Sequence, residues 1–201
     1  KIKRRIKKNP LIVHYYNLND AKKDVILTKN FHKIFKKIGP GPLTYILEKK
    51  RNSRIKPIVC ANLKTVGIRF PKNKFIRNLL KRLKFPLAMP SANKSSSVSP
   101  VKPSDVAEEF KNKIKVVNGG TSKIGIESTV LNLVGKISIL RPGKITPKQI
   151  EKILKIKIKI SSKQNKIRSP GSLKKHYSPG IPIYLNKNKC PKEAAFITFG
   201  L

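Results

Sequence analysis

Arg69 closes the run "TVGIR", Arg141 closes "ISIL", and Ser91 and Asn93 follow "PLAM". Glu127, Ser128 and Thr129 follow a glycine-rich turn, while Lys3, Arg5 and Asn9 precede "PLIVH". Singly, each has a plain structural reading: serine or asparagine after a strand forms turns and caps, and an arginine at a strand end is a solvated charge. Together they repeat cations, hydroxyls and amides without a strong acid–base pair. Such groups bind an anion and support developing charge. Phosphoryl and nucleotidyl transfer need that chemistry, because positioning and electrostatic support of the phosphate supply most of the catalysis. No GxSxG, P-loop, GxGxxG or HExxH segment occurs, and each of these would mark a different chemistry. His14, His32 and His176 lack metal-ligand spacing, and Cys60 and Cys190 are too far apart for a paired-cysteine zinc site.

The elements that must position these residues are legible in outline. "PLIVHYY", "LTYILEK", "KTVGIRFP" and "PLAM" read as strands. One helix is expected from a cap at Asn19 or Asp20 to about Lys37, ended by "GPGP". "NKFIRNLLKRL" reads as a second helix, and Ser104 as the cap of a third over "DVAEEFKNKI". "IKVVNGG" is expected to be a strand, "ESTVLNLV" and "KISILRPG" a hairpin through Gly135, and "TPKQIEKIL" a helix capped by Thr146. "KIKIKI" alternates as a strand with one wet face, and "IYLN" and "AAFITFG" read as the first strands of a second unit. Strands and helices mix without strict alternation, so the expected fold class is α/β: a twisted mixed sheet with flanking helices.

At 201 residues the chain has room for one substantial domain and a smaller piece. No apolar run approaches the ~20 residues that span a bilayer, so a membrane partner is not expected; separated cysteines fit a reducing, cytoplasmic setting. The chain carries 47 Lys and Arg against 9 Asp and Glu, a formal +38. Such a field draws polyanions. The excess is nearly all lysine, accompanied by isoleucine and asparagine and spread evenly, a pattern that A/T-rich coding gives without a selected surface. The arginines are more informative, because their planar fork suits phosphate and carboxylate. Met89 is the only methionine, and the sequence starts and stops abruptly, so material is expected beyond both ends.

The motifs "KRR", "NPLIVH", "PGPLTYIL", "TVGIRFP", "PSANKSSSVSP", "GGTSKIGIEST" and "ILRPGKIT", in that order, resemble the YrdC-like threonylcarbamoyl-AMP synthases. "SPGSLKKHYSP" resembles the linker of the two-domain members. The resemblance implies a YrdC-like catalytic domain over residues 1–160, an ordered linker over 161–182, and the start of a small C-terminal α/β domain over 183–201. It implies synthesis of threonylcarbamoyl-AMP and pyrophosphate from L-threonine, bicarbonate and ATP, with Mg2+ accompanying the ATP. The product would pass to a downstream threonylcarbamoyl transferase that modifies a tRNA adenosine beside the anticodon; tRNA or double-stranded RNA is an implied partner.

Carried over motif by motif, the resemblance places Lys3, Arg5 and Asn9 at the ATP phosphates, and Thr65, Ser91, Asn93, Ser99 and Arg141 at the nucleotide. His14, Arg69, Met89 and Ser128 fall to L-threonine, Arg69 pairing with its carboxylate and Met89 offering backbone. Lys3, Arg5 and Arg69 are the implied catalytic cations. His176 and Tyr177 would fold over the cleft on the ATP side. Departures from the family pattern include the absent threonine-rich "PTET" segment, Ser96 in place of glycine, and Ser172 and Lys174 in the linker. Two other readings stand beside this one: a basic RNA-binding module without catalysis, against which stand 6% aromatics and no stacking motif, and a carbamoyl-transferring relative from hydrogenase maturation.

Overall fold

The computed structural model describes residues 3, 8–95, 97–161, 181–187 and 189–197. Its elements run β1 (Ile12–His14), α1 (Leu18–Ala21), α2 (Lys29–Ile38), β2 (Leu43–Glu48), a 3-10 turn (Pro57–Cys60), β3 (Thr65–Arg69), α3 (Lys74–Leu83), β4 (Leu87–Met89), α4 (Pro103–Glu109), β5 (Thr129–Asn132), β6 (Ser138–Arg141), α5 (Pro147–Leu154) and β7 (Lys159–Ile160). Among the described residues the strands form one mixed sheet in the order β4-β1-β3-β2-β5-β6-β7. β1 runs parallel to β3, and β5 parallel to β2, while β2 and β3 are antiparallel. The expected fold class holds.

Alternation along the strands divides the sheet into two unlike faces. Val13, Tyr45, Leu47, Val66, Ile68, Leu131 and Ile139 belong to the main hydrophobic cluster, with Phe31 and Ile34 of α2 and Ile150 and Leu154 of α5. α2 starts because Thr28 Oγ1 accepts the Phe31 N–H at 3.2 Å, and its apolar residues then recur at helical spacing. Phe31 meets Tyr45 edge to face with centroids 4.8 Å apart. α5 starts with a reciprocal box in which Thr146 Oγ1 accepts Gln149 N–H and the Gln149 side chain accepts Thr146 N–H. Both helices therefore cover one face and leave the other to carry polar groups.

Several elements differ from the sequence reading. The single long helix over 19–37 is two: Asn17 caps the one-turn α1, and Thr28 restarts the chain at α2. Val25 between them is fully buried and bridges to Lys49, and Asp24 accepts hydrogen bonds from Tyr15 and Arg54. Those tertiary contacts outweigh helix continuation. Ser104 does not cap α4; Pro103 takes the first position, and Asp105 accepts the Val101 and Lys102 N–H groups. Residues 114–120 form no strand: they pair with no strand of the sheet and are mostly exposed, Val117 included. "KIKIKI" contributes only Lys159–Ile160 to the sheet: Lys155 turns left-handed at the end of α5 and Ile158 enters the core. No strand forms among the described residues of 183–186 and 194–197, where Tyr184, Leu185 and Ile197 are exposed.

Candidate active site

Strand register lines up the chemistry on the sheet's second face. Leu87, His14, Arg69, Thr44, Val130 and Arg141 are successive partners across β4, β1, β3, β2, β5 and β6. Directly paired residues share a face, so an imidazole, two guanidiniums and a threonine hydroxyl form one row. The neighbouring row is Met89, Ile12, Gly67, Ile46 and Asn132. A Cβ on Gly67 would come within 3.3 Å of Ile46 Cδ1 and 3.4 Å of Thr44 Cγ2, so glycine lets those side chains lean across the floor.

Ser128, immediately before β5, is knitted into the polar row. Its hydroxyl lies 2.8 Å from Thr44 Oγ1, and both residues are buried. Arg141 donates from Nε and Nη2 to the Ser128 carbonyl at 3.0 and 2.8 Å, and from Nη2 to its hydroxyl at 3.1 Å. A third nitrogen of Arg141 pairs with Glu127 at 3.4 Å, and Ser99 Oγ donates to the same carboxylate at 2.8 Å. Arg141 is thus an organising cation, its fork spread over Glu127 and Ser128.

Arg69 is placed differently. Its Nε donates to the Gly41 carbonyl at 3.2 Å, and its terminal nitrogens meet no acceptor within hydrogen-bonding distance among the described residues. Burial pulls this guanidinium below its ordinary pKa, Glu127 opposes the fall, and Arg141 adds to it; it stays charged at neutral pH. Beside it, His14 is buried, with Nδ1 3.1 Å from the Ile12 carbonyl. Burial and then the Arg69 charge lower the imidazole to about 4, against weaker support from the Ile12 and Leu87 carbonyls. At neutral pH the row presents an open cation beside a neutral ring.

The serine-rich loop forms the other half of the site. Lys3 Nζ donates to the Ser91 carbonyl at 2.7 Å and to the Asn93 carbonyl, while the Lys3 carbonyl accepts from Ser95 N–H and Oγ. Asn93 is 2% exposed; its Nδ2 donates to the Ser97 carbonyl at 2.7 Å, and its Oδ1 has no partner among the described residues. Asn93, Val98, Ser99, Pro100, Asp105 and Glu109 line a hollow of about 240 Å³. Ser99 joins the two halves, lining that hollow while binding Glu127.

The structure therefore gathers His14, Arg69, Ser128 and Arg141 in one cluster, and Lys3, Ser91, Asn93 and Ser99 along the adjoining loop. Met89 lies on the same face in the neighbouring row, and Asn9 is buried two residues before Leu11. Thr65 starts β3, at the far end of the strand from Arg69, and pairs with Glu48; about 13 Å of extended chain separates the two ends. Arg5, His176 and Tyr177 lie outside the described residues. Thr44 was absent from the candidate residues, and Glu127 stood in the polar cluster with no contact assigned to it. Thr44 was findable, as the lone polar residue on the face of "PLTYIL" opposite Leu43, Tyr45 and Leu47.

Fold and site together define an α/β domain whose sheet keeps one face for its core and gives the other to cationic and polar side chains. The family model Sua5_yciO_yrdC, described as "Telomere recombination", matches residues 1–143, so the chain belongs to the Sua5/YciO/YrdC family. A model for the threonylcarbamoyl-AMP synthase C-terminal domain matches residues 145–198. The threonylcarbamoyl-AMP synthase of Bacillus subtilis is 37% identical over 87% of this chain and 52% of its own length. That of Pyrococcus abyssi is 33% identical over 87% and 53%. The crystal structure of P. abyssi Sua5 complexed with L-threonine superposes with a TM-score of 0.82 at 32% identity, covering 88% of this chain and 54% of that one. E. coli YciO, at 18% identity and a TM-score of 0.63, shares the fold. The chain spans about half the length of these synthases. Among the described residues no helix is long and apolar enough to cross a membrane.

Proposed function

We propose that this chain provides the YrdC-like catalytic domain, over residues 1–160, of a threonylcarbamoyl-AMP synthase that consumes L-threonine, bicarbonate and ATP. The observation that carries the reading is the Arg69 guanidinium, a partly buried cation whose fork meets no anion at hydrogen-bonding distance among the described residues. Partly desolvated guanidinium nitrogens without an acceptor are costly, and a ligand carboxylate relieves that cost. L-Threonine supplies that carboxylate to Arg69 and its hydroxyl to the Ser128–Thr44 pair. His14, uncharged near neutrality, walls the pocket without adding a second cation and is too weak a base to hold the amine's proton. The triphosphate lies along Lys3 and the 91–95 loop, where an ammonium and serine hydroxyls converge. Asn93 Oδ1, an acceptor, suits a hydroxyl or amino donor of the nucleoside.

The threonine ammonium and bicarbonate condense to the carbamate with loss of water and a proton. A carbamate oxygen then forms a bond to the α-phosphorus as the bond to the β-phosphate breaks, and pyrophosphate leaves. No protein nucleophile takes part, in keeping with the residue set. Magnesium enters on the ATP, held by phosphate oxygens and water. The carboxylates beside the loop are engaged by the protein: Glu109 accepts Lys94 N–H, Asp105 caps α4, and Glu127 holds Ser99 and Arg141. The mixed anhydride so formed is labile and calls for direct hand-over to a transferase acting on tRNA. The test is pyrophosphate release from Mg-ATP. It should require both L-threonine and bicarbonate; release at an equal rate without either overturns the reading.

A further inference from the structure

We infer that Glu127 is a positioning residue that couples nucleotide binding on the 91–100 loop to amino-acid binding at Arg69. The inference rests on the function proposed above and adds to it a link between its two halves. One carboxylate spans them: Glu127 accepts from Ser99 Oγ at 2.8 Å on the loop side and pairs with Arg141 at 3.4 Å on the sheet side. From Arg141 the contacts continue through Ser128 to Thr44, the register partner of Arg69. Arg69 also feels the Glu127 charge directly, because that carboxylate opposes the fall in its pKa. A ligand that shifts the loop therefore shifts Ser99, and with it both the hold on Arg141 and the field at Arg69.

Two ligands that bias one shared element alter each other's affinity by the same factor. Ordering the loop around a nucleotide draws Glu127 toward Ser99 and Arg141. Its negative charge then competes less with the incoming carboxylate for Arg69. The coupling is positive: each ligand favours the other. Glu127 need not touch either ligand to do this.

The experiment measures the dissociation constant of α,β-methylene ATP, whose bridging carbon prevents pyrophosphate release, with Mg2+ and with or without saturating L-threonine. In the unaltered chain L-threonine should tighten the nucleotide by about five-fold or more, the lower range of allosteric coupling. In Glu127→Ala that ratio should fall to within about two-fold of unity. L-Threonine alone should bind this variant no more weakly, since removing an anion beside Arg69 strengthens the field seen by a carboxylate. Glu127→Gln, close in shape and still an acceptor for Ser99, should keep part of the coupling and guards against a variant that fails to fold. An unaltered ratio in both variants overturns the inference, as does equal weakening of each ligand alone with the ratio preserved, the mark of a merely structural residue. If neither ligand binds the unaltered chain, the proposed function fails first and takes this inference with it.

Discussion

His14 and Arg69 stand in register on β1 and β3, so a neutral imidazole and a partly buried guanidinium share one face of the sheet. Burial and then the cation lower the pKa of the ring, and the neutral ring spares the cation a second positive neighbour. The pairing leaves Arg69 as the group through which an anionic ligand gains most. Arg69→Ala should weaken L-threonine binding by at least ~30-fold, since losing one partner of a desolvated charge pair costs about 2 kcal/mol or more. Arg69→Lys should rescue little, because a point charge does not reproduce the two-pronged contact. Calorimetry with L-threonine and with L-threoninol separates the effects: the alcohol lacks the carboxylate, so it should bind unaltered protein and Arg69→Ala about equally weakly.

The same imidazole sets a pH dependence of stability. Its pKa falls from 6.5 in the unfolded chain to about 4 in the fold. Between those values the unfolded state holds the proton and the folded state does not, so stability rises with pH across the window. The stabilising contribution is complete above about 6.5 and is lost as pH drops toward 4, on the order of 3 kcal/mol in all. Urea midpoints at pH 7 and pH 5 should differ in the unaltered chain, and His14→Gln should flatten that difference. Asp24, held below its usual range because hydrogen bonds from Arg54 and Tyr15 outweigh its burial, releases its own contribution only at lower pH.

How much of this was legible beforehand follows a physical division. The strands that build the site have strong local alternation or short apolar runs, and β1 to β6 form where the sequence put them. Arg69, Ser128 and Arg141 sit at or beside strand ends, so the pattern alone brought them toward one edge. What the pattern could not give is register. Which residues of β1 and β2 Arg69 faces depends on how those strands slide against β3, and a one-residue slip would send Arg69 into the core. The break between α1 and α2 was likewise invisible, because it depends on Asp24 meeting Arg54, 30 residues away. Glu127 read as one polar residue of a turn; its two partners come from the loop at Ser99 and the strand end at Arg141.

Gly143 shows how tightly the site segment is clamped. A Cβ there would lie 2.5 Å from Thr129 N and 2.6 Å from the Glu127 carbonyl oxygen, both backbone atoms. Thr129 Oγ1 also donates to the Ile145 carbonyl at 2.9 Å and accepts Ile145 N–H at 3.0 Å. Gly143→Ala must therefore displace the segment carrying Glu127 and Ser128, at roughly 1–3 kcal/mol of overpacking strain. Gly135 offers the contrast: its φ is +65°, but nothing lies within 4 Å of a Cβ. Gly135→Ala should lower Tm through backbone strain alone and leave L-threonine affinity intact, whereas Gly143→Ala should lower both. Unchanged affinity in Gly143→Ala would show that the segment can move without disturbing the pocket.

Tyr45 faces the core side of β2, the opposite side from Thr44, and tests whether polar groups there serve the site. It is 1% exposed, packs edge to face on Phe31, and its hydroxyl finds no partner among the described residues. Burial pushes its pKa up, so it stays protonated and carries an unmet donor. Removing such a hydroxyl relieves the desolvation of a group that gains nothing in return, worth roughly 1–3 kcal/mol where no new cavity opens. A phenylalanine ring keeps the aromatic contact and vacates one oxygen's volume. Tyr45→Phe should therefore unfold at an equal or higher urea concentration and bind L-threonine as before. A loss of more than about 1 kcal/mol would mean that the hydroxyl has a partner in solution, since that is the typical worth of one buried hydrogen bond.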